Sequence, residues 1–138
     1  MKYVISAKSL RRSILIVGTG IDIVEIHRIQ KALNKSEKFI HKICVDEEIE
    51  YLKSRNLRPE YIAGRFAAKE AVSKCLGTGF QGFNFTDIVI KKDSKGKPEV
   101  ELLNGAKHIA ESFGEYKIHL SISHSCENAI AYAVIEVI

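Results

Sequence analysis

The chain has 138 residues, 46% of them hydrophobic and 28% charged, a length that fits one domain with an ordinary core. No apolar run approaches the ~18 residues of a membrane span, and so apolar a chain with only two prolines is not disordered. Cys44, Cys75 and Cys126 are an odd number without CxxC spacing, which argues against a disulfide framework or a zinc cluster and for reduced thiols in a cytoplasmic protein. The net charge of +4 is local: Lys2, Lys8, Arg11 and Arg12 supply it, and the remaining residues hold equal numbers of acids and bases. A nucleic-acid footprint, which needs a basic domain, is poorly supported.

Residues 1–13 have no apolar core of a secretory signal. Their acid-free, Ser-containing make-up reads as a short basic extension or a transit peptide, ahead of a single domain over 14–138. Ile14–Thr19 suits a buried strand closed by a tight turn at Gly18 and Gly20. Ile26, Ile29 and Leu33 then mark a helix. Shorter helices follow over 37–43 and from Asp46, whose acidic first turn with Glu47 and Glu48 suits a helix N-terminus. The longest helix runs from Pro59 to Leu76; its apolar residues fall on nearly all sides, so burial is expected. Strands are expected at 87–92 and 99–102 around the DSKGKP turn, then a helix capped by Asn104 and ending at Phe113. Ile118, Leu120 and Ile122 alternate along another strand. Residues 125–128 turn the chain into a final strand apolar enough to be central. The order gives an α+β class, a mostly antiparallel small sheet packed against a long buried helix.

Asp22 follows the first strand and its Gly-Thr-Gly segment, where a carboxylate is held rigidly; capping the next helix is the alternative. Glu70 and Lys74, four apart, share a helix face with Ala63 and Ala67. An exposed ion pair is the ordinary account, worth ~0.3–0.5 kcal/mol. In a helix apolar all round, the charges and the small residues beside them suit a metal ion and a phosphate better. In SISHS, Ser121, Ser123, His124 and Ser125 lie at a strand end. Neighbouring strand residues face opposite ways and no GxSxG elbow is present, so a hydrolase reading fails; His124 suits anion binding or a structural role. Lys95-Gly96-Lys97-Pro98 reads as a hairpin turn that could cradle a phosphate. Arg28, Lys31, Lys35, Lys38 and Lys42 follow a 3,4,3,4 spacing that makes one basic face if the helix is nearly continuous. That face is either solvated or a docking strip for an acidic partner.

GTGIDIVEIHRI at 18–29, AGRFAAKEAVSKCLGTG at 63–79 and SISHS at 121–125, with KGKP and the final strand, together resemble the holo-[acyl-carrier-protein] synthases, short bacterial-type 4′-phosphopantetheinyl transferases. The likeness runs from Ile14 to the C-terminus. It implies the fold of those transferases and transfer of the phosphopantetheine arm of coenzyme A to a serine of apo-acyl carrier protein, with release of 3′,5′-ADP. It also implies Mg²⁺ held by Asp22 and Glu70, and Lys74 on the phosphates. Arg65, His124 and Lys95, Gly96, Lys97 and Pro98 fall at the nucleotide end, and Arg28, Lys31 and Lys35 on the carrier-docking side. A cytoplasmic homotrimer serving fatty acid synthesis, with sites between subunits, completes the expectation. Glu70 or a metal-bound water would take the serine proton.

Overall fold

The computed structural model describes residues 13–138, so all but the last residue of the basic extension lies outside the described residues. The described residues form five strands and five helices in the order β1 (Leu15–Glu25), α1 (Ile26–Lys35), α2 (Lys38–Ile43), α3 (Asp46–Ser54), α4 (Pro59–Cys75), β2 (Ile88–Lys92), β3 (Pro98–Leu102), α5 (Asn104–Ser112), β4 (Tyr116–His124) and β5 (Asn128–Val137). A 3₁₀ turn at Phe85–Asp87 precedes β2. The α+β reading holds, with two antiparallel sheets: β1-β5-β4, in which β5 is central as its composition suggests, and the β2-β3 hairpin.

Small side chains explain how α4 sits on the three-stranded sheet. Its Ala63, Ala67, Ala68 and Ala71 are fully buried, and the alternation of β5 sends Ala129, Ala131, Ala133 and Ile135 into the same core. Alanine against alanine lets helix and sheet approach closely. Ala63 and Ala67 therefore lie inside the core and leave no open notch beside Glu70 and Lys74, contrary to the sequence expectation.

The first strand departs further from its reading. Gly18 and Gly20 make no turn; β1 passes straight through them and continues to Glu25, with a register shift between Ile16 and Gly18. A Cβ at Gly18 would lie 2.0 Å from the Cys75 carbonyl oxygen, and one at Gly20 1.9 Å from that of Ala71. The glycines are thus places where the strand lies directly against the last turns of α4. Nor is the start of the strand buried: Ile14, Leu15 and Ile16 are exposed.

Two helical expectations change as well. Ser36 takes an extended conformation between α1 and α2, which breaks the basic strip. Arg28, Lys31 and Lys35 share a shallow depression on α1, whereas Lys42 lines another one with Phe80 and Phe85. Asn104 does not cap α5; Leu103 holds that position, and the Asn104 amide donates to Asp87 Oδ1 at 2.8 Å.

Candidate functional site

The strand–helix contact brings Asp22, Glu70 and Lys74 together across about fifty residues of sequence. Asp22 is not a cap, since the position before α1 is Glu25; it sits within β1, two residues beyond Gly20. Because Gly20 lets β1 touch Ala71, the next turn of α4 delivers Lys74 onto the strand. Its Nζ donates to the Ile21 carbonyl at 2.9 Å and to Asp22 Oδ1 at 3.2 Å. Lys74 remains half exposed and Asp22 mostly covered. The Lys74 ammonium therefore pairs with Asp22 rather than with Glu70 one turn earlier, the ordinary alternative for an i, i+4 pair.

Glu70 has burial on one side and the Asp22 carboxylate on the other. Burial, and then the charge of Asp22, push its carboxyl above the usual carboxylate range, with Lys74 opposing. Two carboxylates within electrostatic reach and one ammonium leave an excess of negative charge. That imbalance is what a divalent cation would relieve. Among the described residues no cluster of three or more His, Cys, Asp or Glu forms a complete metal cage. Mg²⁺ does not need one, because it is held by one or two carboxylates together with water and substrate phosphates. The donor set therefore fits such an ion.

The remaining candidates lie apart from this centre within one chain. Arg65 is nine residues before Lys74 on α4, which at 3.6 residues per turn places it about 180° around the helix. It is buried beside Glu48, with Nε 3.8 Å from Oε2, and its guanidinium lies 4.2 Å from the centre of the Tyr51 ring. His124 is exposed at the end of β4, its ring edge-on to Tyr61 at 6.0 Å. Lys95, Gly96, Lys97 and Pro98 occupy the tip of the β2-β3 hairpin. Asp93 builds that turn by accepting the backbone N–H groups of Lys95 at 2.8 Å and Lys97 at 2.9 Å through Oδ1. The turn is therefore complete without a ligand, and its lysine side chains are exposed.

One group escaped the sequence reading altogether. Glu48, taken as an acid suited to a helix start, is buried and forms a hub. Its Oε1 accepts from Lys69 Nζ at 2.7 Å and from the Val45 N–H at 3.1 Å, and Oε2 from the Ile90 N–H at 3.2 Å. Lys69 also donates to the Ile43 and Phe85 carbonyls. All three donors of the ammonium are thus used. The one available signal was a lysine directly before Glu70 in a helix apolar on every side.

Residues 18–133 match the model of the 4′-phosphopantetheinyl transferase superfamily. The holo-[acyl-carrier-protein] synthase of Clostridium novyi is 59% identical over 123 residues, 89% of each chain. The chain belongs to the holo-[acyl-carrier-protein] synthase family. It is accordingly an enzyme of the phosphopantetheinyl transferase class. Solved structures agree on the fold of that family. A Plasmodium yoelii acyl carrier protein synthase with ADP bound superposes with a TM-score of 0.82 at 38% identity, covering 90% of this chain and 97% of that one. A Bacillus anthracis holo-(acyl-carrier-protein) synthase in complex with CoA (3′,5′-ADP) gives 0.74 at 41% identity, over 89% and 98%.

Proposed function

We propose that the enzyme transfers the 4′-phosphopantetheine group of coenzyme A to a serine of an apo-acyl carrier protein, producing the holo-carrier and 3′,5′-ADP. The convergence of Asp22, Glu70 and Lys74 carries this reading. It joins membership of the family and the CoA-containing structure of the Bacillus anthracis relative. In the reaction the serine oxygen forms a bond to the β-phosphorus while the bond from that phosphorus to the bridging oxygen breaks. The electron pair leaves with 3′,5′-ADP, and the serine proton passes to Glu70 or to water.

Asp22 and Glu70 would hold Mg²⁺, which when bound neutralises the pyrophosphate. Lys74, already tethered to Ile21 and Asp22, presents its ammonium at the same place and stabilises charge on the phosphoryl oxygens. Arg28, Lys31 and Lys35 form the docking side for an acidic carrier protein; they are exposed and share one depression on α1.

The outer face of the main sheet bears on assembly. Ile21 and Ile23 of β1 pair with Tyr132 and Ile130 of β5, and all four are well exposed. A contiguous apolar face of this kind suits burial between copies of the chain, in keeping with a homotrimer. Among the described residues no helix is long and apolar enough to cross a membrane. Cytoplasmic fatty acid synthesis is the setting we assign. Incubation with CoA, Mg²⁺ and a competent apo-carrier tests the whole reading: the carrier should gain the mass of one phosphopantetheine, and an unchanged mass overturns it.

A further inference from the structure

The Lys74 ammonium has three N–H donors and, among the described residues, two protein acceptors: the Ile21 carbonyl at 2.9 Å and Asp22 Oδ1 at 3.2 Å. The Lys74 side chain is 52% exposed and that of Asp22 only 17%. Asp22 is fixed within β1, whereas the lysine carries its charge on a flexible four-carbon stem. The ammonium is therefore the half of this pair that can move.

The local charges make that hold provisional. Among the described residues Lys74 is the one ion-pair partner of Asp22, and Glu70 has no cation within ion-pair distance. Glu70 nevertheless feels both groups: burial and the Asp22 charge push its carboxyl up, and Lys74 opposes them. One ammonium thus serves two carboxylates, pairing with the first and only partly offsetting the second. A divalent cation shared by the two carboxylates would match them in full and leave the ammonium in surplus. Like charges crowded onto one carboxylate repel strongly. A surplus ammonium beside the carboxylates is, in turn, a donor for phosphate oxygens.

We propose that Lys74 is the resident counter-ion of Asp22 and Glu70 in the free enzyme, and that a divalent cation displaces its ammonium from Asp22 toward the phosphates of the substrate. The Ile21 carbonyl remains its anchor, so the ammonium swings on its stem without leaving the site. No covalent bond changes in this exchange. Lysine and metal therefore compete when no substrate is bound and cooperate when it is. By linkage, CoA tightens Mg²⁺ binding by the same factor as Mg²⁺ tightens CoA binding. The inference rests on Asp22 and Glu70 as metal ligands and adds to that reading an order of events: the free enzyme holds the metal weakly, and metal and CoA are taken up together.

Calorimetric titration of the full chain with Mg²⁺, in the presence and absence of CoA and without a carrier protein, tests the exchange. Without CoA, Lys74→Met should bind Mg²⁺ about fivefold more tightly than the parent, the low end of coupling between interacting sites. CoA should raise the Mg²⁺ affinity of the parent, and that of the variant by a smaller factor. A crystal structure of the CoA-free parent chain holding Mg²⁺ should show Lys74 Nζ beyond hydrogen-bond distance of Asp22 Oδ1. Because it uses the parent chain, this second measurement decides even where the substitution disturbs the fold. Equal or weaker Mg²⁺ binding by a normally melting Lys74→Met, or an ammonium still on Asp22 beside the bound ion, overturns the exchange and leaves the metal ligands standing. Absence of Mg²⁺ binding by parent and variant, with and without CoA, overturns the metal assignment and the exchange together.

Discussion

Helix α4 carries charge on two faces, and the two are organised in opposite ways. Toward α3 and β2, Lys69 is wholly buried and gives every donor to a fixed acceptor, and Glu48 accepts from three sides. Toward β1, Lys74 is half exposed, burial and the Asp22 charge push the Glu70 carboxyl above the usual range, and the charges do not balance. Saturated partners make the Lys69–Glu48 pair a clamp. Unsatisfied charge makes the second face a place for a ligand. In the sequence both are simply ionic residues in an apolar helix, so burial and partner count are what tell structure from chemistry.

Breaking the clamp should have the largest effect. Glu48→Ala leaves Lys69 charged and buried, and we expect a loss of about 3–5 kcal/mol in urea denaturation. Glu48→Met combined with Lys69→Met should recover much of that loss, whereas a deficit equal to the sum of the single changes would contradict the ion-pair account. On the other face, Glu70→Gln should lower turnover at least a hundredfold and leave the fold intact. The stability effect is smaller and has a definite sign. Because the Glu70 carboxyl sits above the usual range in the folded chain, the folded state holds that proton more tightly than the unfolded one. Its contribution is full at pH values below the unfolded carboxylate range and is lost as pH rises through the raised value. Thermal melts of Glu70→Gln should therefore lack that fall with pH, match or exceed the parent protein at neutral pH, and lose any rise on adding Mg²⁺.

Gly20→Ala joins the two faces, because it pushes β1 off α4. A Cβ placed 1.9 Å from the Ala71 carbonyl requires backbone movement, which should cost about 1–3 kcal/mol and reduce turnover by separating Asp22 from Lys74. Stability loss with full activity would show that the glycine does not position the site. Lys31→Glu with Lys35→Glu, remote from both faces, should raise KM for the carrier several-fold and leave KM for CoA unchanged; equal changes would remove the docking assignment. Thiol labelling should show the least change. Burial pushes Cys44 up to about 12 and Cys75 up to about 11, so neither forms thiolate near neutrality. Cys126 is exposed, and one label per native chain is expected.

The local elements were legible from particular residues. Pro59 and Gly77 bracket α4, the alternation at Ile118, Leu120 and Ile122 marks β4, and the small apolar run before Ile138 places β5 at the centre. Asp22, Glu70 and Lys74 stood out by position and spacing and took their roles from the motif resemblance; their meeting depends on a strand–helix contact that spacing cannot express. Gly18 and Gly20 were misread because a glycine that makes room for a helix looks, in one dimension, like a glycine that makes a turn. The basic strip was one face only for a nearly continuous helix, and the extended Ser36 between α1 and α2 removes that condition.

The sequence by itself determined the periodicities, the proline and glycine that bracket α4, and the motifs that place the chain in its family, since these rest on neighbours a few positions apart. The tertiary structure decided which charges are spent and which are free. Whether Lys69 or Lys74 is saturated depends on carbonyls and carboxylates up to about fifty residues away, brought near by the close packing of alanine and glycine surfaces.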